Sequence, residues 1–289
     1  MGRVTLAFTL LYDVVRWEEK SIVDAANKRS GHVDVNMVDA KDLPLEITGT
    51  RSGLPHGPVL QRCVSHYRNL HTTAALEGLG HRVVNNFQSA TISSDKVFCS
   101  IALARAGIRT PRTYLASTEG SALKALEELG YPAVLKPVVG SWGRLSALLK
   151  DSDFARAIIE DREYMYPLYQ LYYLQEFVKR PPRDIRSFVV GDQTIAAIYR
   201  ISATDWRTNT ARGGKAENCP ITSELNELSL KSARAVGGEI VGVDLMESTT
   251  DGLVVHEVNN TTEFKNTVPA TGIDIPGLIV DYLVSLEKR

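Results

Sequence analysis

Apolar residues cluster in short strand-like blocks over residues 4–10 and 33–38, and residues 16–28 between them repeat apolar positions at helical spacing. Strand, helix and strand in that order predict a βαβ unit, and therefore a parallel sheet, at the start of the chain. Residues 48–58 carry Gly, Pro and Ser without periodicity and read as an exposed loop. The pattern changes near Asn85-Asn86. Ser93-Ser94-Asp95 then stands where a helix N-cap belongs, ahead of a helix from Lys96 to Gly107.

From residue 113 the pattern predicts a strand (113–116), a helix (119–129, closed by Gly130), a strand (133–136), a glycine loop, a strand (145–150) and a helix (154–163). Strands follow at 171–178, 187–190 and 194–201, with Gly191-Asp192 as a hairpin turn that makes the last two antiparallel. A helix over 223–236, strands over 240–246 and 253–258, and a helix over 275–286 complete the chain. The fold class is α/β followed by α+β. We expect an N-terminal α/β domain over 1–89 and two α+β units over 90–168 and 169–289.

Composition narrows the function classes. The 289 residues are 44% hydrophobic and carry a net charge of -1, which excludes the strongly basic balance of a general nucleic-acid binder. Cys63, Cys99 and Cys219 are odd in number and far apart, so neither a disulfide framework nor a structural zinc site is predicted. No apolar run approaches the roughly 18 residues of a membrane span. A cytoplasmic homo-oligomer without nucleic-acid or membrane partners is the expectation.

Two constellations carry candidate chemistry. Lys136 ends a strand and opens a loop, Gly140-Ser141-Trp142-Gly143-Arg144, whose backbone N–H groups can approach an anion beside the lysine charge. The Walker and dinucleotide patterns are absent, and a glycine-bearing hairpin alone is more often a plain turn. The second is Asp244 with Glu257 and Asn259, the last two projecting from one face of a strand. If the strands pair through 249–252, Asp244 lies beside them, and three hard oxygen donors suit Mg²⁺ completed by phosphate oxygens and water. Gln175-Glu176-Phe177-Val178 ends a strand, where a polar edge and apolar wall suit an adenine and its ribose. The histidines (His32, His56, His66, His71, His81 and His256) lack a Ser or Cys partner and read as structural or surface residues. Between Lys179 and Lys215, eight basic residues (Lys179, Arg180, Arg183, Arg186, Arg200, Arg207, Arg212, Lys215) face three acids, a local balance of +5 that suits an acidic protein partner.

Taken in order and spacing, Lys96, the Lys136-Pro137 loop, Gln175 to Val178, Asp184-Ile185-Arg186, and Asp244 with Glu257-Val258-Asn259 resemble the ATP-grasp superfamily over nearly the whole chain. Within it the chain is most similar to the RimK-like, LysX/ArgX-type ligases of carrier-protein lysine and arginine biosynthesis. The matching stretches include Leu11-Tyr12-Asp13, Arg16, Glu18-Glu19-Lys20, Arg183-Asp184-Ile185-Arg186 and Glu263-Phe264-Lys265-Asn266-Thr267. The resemblance implies an ATP-grasp fold in which two α+β domains clasp ATP. It implies Lys96 and Lys136 on the phosphates, Glu176 and Val178 at the adenine, and Asp244, Glu257 and Asn259 on Mg²⁺. Arg186, Arg200 and Asn209 would face the γ-phosphate and the reacting carboxylate, and Asn260, Asn266 and Thr267 the amino-acid substrate.

The implied reaction activates the side-chain carboxylate of the C-terminal glutamate of a small acidic amino-group carrier protein as an acyl phosphate. The α-amino group of a free amino acid then displaces phosphate. Asn266-Thr267 favours α-aminoadipate, where relatives using glutamate carry Gly-Phe. Glutamate ligation to the carrier, glutamate addition to another protein, and a nucleotide-binding module without turnover are the competing readings.

Overall fold

The structure, a computed structural model, describes residues 6–29, 33–50, 52–202, 205–208 and 214–287. Strands β1 (Leu6–Tyr12), β2 (Val33–Asp39), β3 (Val59–Gln61) and β4 (Val83–Val84) form a parallel sheet in the order β2-β1-β3-β4. Helix α1 (Trp17–Asn27) crosses from β1 to β2, as the opening pattern predicts. Its first turn is fixed by Glu19, which accepts the backbone N–H of Arg16 at 2.8 Å. Helix α2 (His66–Gly78) is unforeseen in the pattern because its buried face is partly polar, with Asn69 and Thr73 beside Leu76. Helix α3 (Phe87–Ser94) starts at Asn86, whose side chain accepts the Ser89 N–H at 2.8 Å. Helix α4 (Lys96–Arg105) starts at Asp95, which accepts from Val97 at 2.7 Å, so the predicted cap holds.

A second, antiparallel sheet has the order β5-β8-β6-β7, from Thr113–Ala116, Tyr172–Glu176, Ala133–Lys136 and Ala147–Leu149 respectively. Helices α5 (Glu119–Leu129) and α6 (Ser152–Glu163) cover it through Leu126, Ile159, Tyr172 and Leu174. Apolar burial of this kind stabilises by about 1.5–3 kcal/mol per large side chain.

The third sheet is antiparallel, in the order β11-β10-β9-β12-β13. Its strands are β9 (Arg183–Val190), β10 (Gln193–Ile201), β11 (Lys215–Asn218), β12 (Ile240–Ser248) and β13 (Gly252–Asn259). Both faces are covered. Ile185, Val189, Val241 and Val243 pack with α7 (Ser223–Val236) and with Cys99 and Leu103 of α4. On the other face Phe188, Ile198 and Ile240 join one core with Phe8 and Leu10 of β1, Ile22 of α1, and Ile279 and Leu283 of α9 (Ile275–Glu287). A short helix, α8 (Thr267–Thr271), precedes α9.

Candidate active site

The third sheet carries its polar residues as a continuation of its apolar ones. Side chains two apart share a face, so Arg186 follows Phe188, Arg200 follows Ile198, and Asp244 follows Ile240 and Gly242. Strand register then sets Ile198, Arg186, Asp244 and Glu257 in one cross-strand row, with Asn259 opposite Gly242 in the next. Gly242 is required here. A Cβ at that position would stand 2.5 Å from Oγ1 of Thr262 and 3.7 Å from Cδ of Arg186.

The row is held by ion pairs. Arg186 donates to both oxygens of Asp244 at 2.6 Å. Arg200 donates to both oxygens of Asp184 at 2.7 and 2.8 Å, and its Nη2 lies 3.0 Å from Asp244. Burial alone would raise the Asp244 carboxyl, but the Arg186 and Arg200 guanidinium charges override it and hold it well below the usual carboxylate range. Glu257 is lowered likewise, burial being outweighed by interactions that include the Lys96 and Lys136 charges. Asn259 Nδ2 reaches Asp244 at 3.5 Å and Glu257 at 3.4 Å, so the three expected metal donors converge.

That donor set fits Mg²⁺ by its chemistry: two carboxylates, and an amide that presents oxygen once turned over. It falls short of an all-protein cage. No cluster of three His, Cys, Asp or Glu side chains able to hold a metal occurs among the described residues, so phosphate oxygens and water would have to complete the shell.

Across the cleft stands the β6–β7 hairpin. Lys136 Nζ donates to Gln175 Oε1 at 2.6 Å, and burial, partly offset by the Glu257 charge, lowers its pKa to about 8. Lys96 Nζ donates to the Gly140 carbonyl at 2.8 Å, tying the start of α4 to the glycine loop. In that loop Trp142 and Leu145 take left-handed backbone (φ 59° and 55°), a cost of order 1–3 kcal/mol each that side-chain residues accept mainly at functional loops. The Arg144 guanidinium lies 4.6 Å from the Trp142 ring centroid. Glu176 accepts the Arg112 backbone N–H at 2.8 Å.

One cavity of about 270 Å³ gathers Lys96, Lys136, Gly140 to Arg144, Gln175 to Val178, Arg186, Arg200, Asp244, Glu257, Asn259 and Asn260. Asn266 and Thr267 lie outside it. They border a second cavity, also of about 270 Å³, that shares Arg16, Arg186, Arg200 and Glu263 with the first. Asn209 lies outside the described residues, as do Arg212 and His32.

The sequence reading misses several lining residues. His256 and His66 border the first cavity instead of standing apart from it. Register slips between Asp244 and Leu245, so His256 is an extra residue in β13, and this bulge turns both His256 and Glu257 toward the cleft. Burial and the Lys136 charge lower its pKa to about 4, leaving the ring neutral. Arg16 and Glu263, far apart in sequence, meet at the junction of the two cavities, 3.5 Å apart.

The basic cluster of 179–215 is partly paired in the fold. Arg183 pairs with Glu247 at 2.6 Å, Lys215 with Glu217 at 2.7 Å and Arg207 with Asp205 at 3.0 Å, while Arg186 and Arg200 face inward onto Asp244 and Asp184. Arg180 donates to the carbonyls of Arg183 and Trp206. Glu247, Asp244 and Glu217, from outside the segment, lower its local balance from +5 to +2, so the patch is still net basic but weaker than the sequence count.

The RimK-like ATP-grasp domain family matches residues 93–283, and the LysX preATP-grasp domain family residues 8–92. The chain is 38% identical over 275 residues to the alpha-aminoadipate–LysW ligase LysX of Saccharolobus solfataricus, covering 95% of this chain and 99% of the relative. It is 35% identical over 276 residues to the glutamate–LysW ligase ArgX of Sulfolobus acidocaldarius, covering 95% and 96%. Among solved structures, a RimK domain ATP-grasp protein of Sphaerobacter thermophilus superposes with a TM-score of 0.77 at 24% identity, covering 96% of this chain and 99% of that one. No helix among the described residues is long and apolar enough to cross a membrane.

Proposed function

The chain belongs to the RimK-like ATP-grasp family, and from that premise we propose that it is an ADP-forming ligase joining α-aminoadipate to a LysW-type carrier protein through the carrier's C-terminal glutamate. The observation that carries this reading is the pair of cavities meeting at Arg186 and Arg200. The first has the lysines and glycine loop suited to a triphosphate, and the second has Asn266 and Thr267 at its border.

A carboxylate is a poor acyl donor because oxide would have to leave, so its oxygen is first converted to phosphate. Lys96, Lys136 and the backbone of 140–144 would hold the triphosphate, and Gln175 to Val178 the nucleoside. Asp244, Glu257 and Asn259 would hold Mg²⁺, which would supply charge neutralisation between the anionic groups. Arg186 and Arg200, fixed in orientation by Asp244 and Asp184, would present positive charge to the transferred phosphoryl group and the reacting carboxylate. Such preorganised charge is worth about 3–4 kcal/mol where negative charge develops. No side-chain nucleophile is needed.

Glutamate is the second reading, favoured by the 35% identity to an ArgX ligase over nearly the full chain. Incubating the protein with ATP, LysW of S. solfataricus and either amino acid, then weighing LysW by mass spectrometry, decides between them. Addition of α-aminoadipate in preference to glutamate is the expected result. Unmodified LysW with both would sink the ligase reading.

A further inference from the structure

The second cavity is lined by charges of both signs. Arg186 and Arg200 form its wall toward the nucleotide side, Lys265 and Glu18 stand on the loop side, and Arg16 and Glu263 occupy the opening between the two spaces. The nearby carboxylates differ in how firmly they are held. Asp244 and Asp184 are locked on guanidinium groups, and one oxygen of Glu18 accepts the N–H groups of Phe264 and Lys265 at 3.1 and 2.9 Å. Among the described residues Glu263 has only a loose ion pair, 3.5 Å from Nη1 of Arg16, and its side chain is 38% exposed.

Arg16 is placed so that it can let go of Glu263. Its Nε and Nη2 are held by Glu19 at 3.1 and 2.7 Å, so the guanidinium stays in position while Nη1 faces Glu263. A cation and an anion side by side, one fixed and one loosely paired, are complementary to the α-carboxylate and α-ammonium of a free amino acid. Amide formation adds a demand of its own. An ammonium has no lone pair, so it must lose a proton before it can attack.

We propose that Arg16 and Glu263 clamp the head group of the incoming amino acid, and that Glu263 takes the proton from its ammonium before the amine attacks. This rests on the ligase reading above. Arg16 Nη1 receives the α-carboxylate. The Glu263 carboxylate receives the α-ammonium, accepts one proton and passes it to the solvent to which it is open. The nitrogen lone pair then forms the N–C bond, the C–O bond to phosphate breaks, and phosphate leaves with that electron pair and the second nitrogen proton. The distal carboxylate of the substrate points toward Lys265, Asn266 and Thr267 at the far end of the cavity.

The test compares two nucleophiles. With ATP, Mg²⁺ and LysW of S. solfataricus, the protein is given either α-aminoadipate or hydroxylamine, which is already neutral near pH 7 and lacks a head group to clamp. Glu263→Gln is expected to lower kcat/KM for amide formation by about 10²-fold or more, the usual range for a lost proton acceptor. Its hydroxamate formation should fall far less, so the ratio of the two products is the readout, and Glu263→Asp should recover part of the lost ratio. Equal losses with both nucleophiles, or amide formation at the parental rate, would overturn the assignment. A parental protein that yields neither hydroxamate nor amide would overturn the ligase reading, and this proposal with it.

Discussion

Replacing Glu19 with Gln removes a charge from a carboxylate whose side chain is 0% exposed and on which three guanidinium N–H groups converge. Arg16 donates from Nε and Nη2, and Arg62, itself 2% exposed, donates from Nε at 3.0 Å. Burial alone would raise the Glu19 carboxyl, but the Arg16 hydrogen bonds and the Arg62 charge bring it down to about 2 from an ordinary 4.5. That difference corresponds to roughly 3 kcal/mol favouring the folded state when the group is ionised. Removing one partner of a buried pair costs about 3–5 kcal/mol by an independent route, because Arg62 is left without its counter-charge. We therefore expect E19Q to lose about 3–5 kcal/mol at pH 7. The sign with pH follows from the lowered value. The contribution is complete above about 4.5 and fades as pH falls toward 2, so the gap between parent and variant should narrow over that window. Urea unfolding at a series of pH values measures it. Trp17, edge-on to Phe264 at 6.0 Å, provides a fluorescence reporter close to the change. A gap below about 1 kcal/mol at pH 7, or one of the same size at pH 3, would refute the reasoning.

Glu257→Gln should lower ligation by about 10²-fold or more while leaving the folded state intact, and ligation at the parental rate in saturating Mg²⁺ would show that Glu257 is no metal ligand. Exchanging Asn266-Thr267 for Gly-Phe should move preference from α-aminoadipate toward glutamate. Thr267 is 1% exposed, so a ring there must take volume from the second cavity, and an unchanged ratio of kcat/KM values would separate the pair from the substrate. Lys136, lowered by burial to about 8, loses its charge as pH rises past that value, so ATP should bind more weakly above about pH 8. Calorimetric titration at pH 7 and 9 reads this, and the same pH dependence in Lys136→Met would place its origin elsewhere.

Much of this was legible in the chain because local rules and tertiary demands agree. Helices α5 and α7 begin and end where the pattern puts them, since Thr118 and Thr222 cap their starts and Gly130 and Gly237 close their ends. Asp244 stands opposite Glu257, as the hairpin reading requires. Other parts depend on long-range placement that no window of sequence contains. Helix α2 hides polar residues because Asn69 reaches the Cys63 carbonyl and Thr261 Oγ1, partners outside its own turn. His256 shares the cleft with Glu257 only because the strand carries an extra residue, which an alternation rule cannot anticipate. The charge of 179–215 shows the same limit: Glu247, the acid that pairs with Arg183, lies on another strand, so the sequence count overstates the local balance.

The core shared by β1, α1 and α9 bears on how the protein is made. Phe8, Leu10 and Ile22 leave the ribosome roughly 250 residues before their partners Ile279, Val280 and Leu283, a wait on the order of 10–50 s at roughly 5–20 residues per second. During that interval the first sheet can pair its strands and pack on α1, but the part of its apolar side that α9 covers stays open. Exposed apolar surface of that kind is what chaperones bind, so the protein's yield in a cell should respond to their supply more than its final stability suggests.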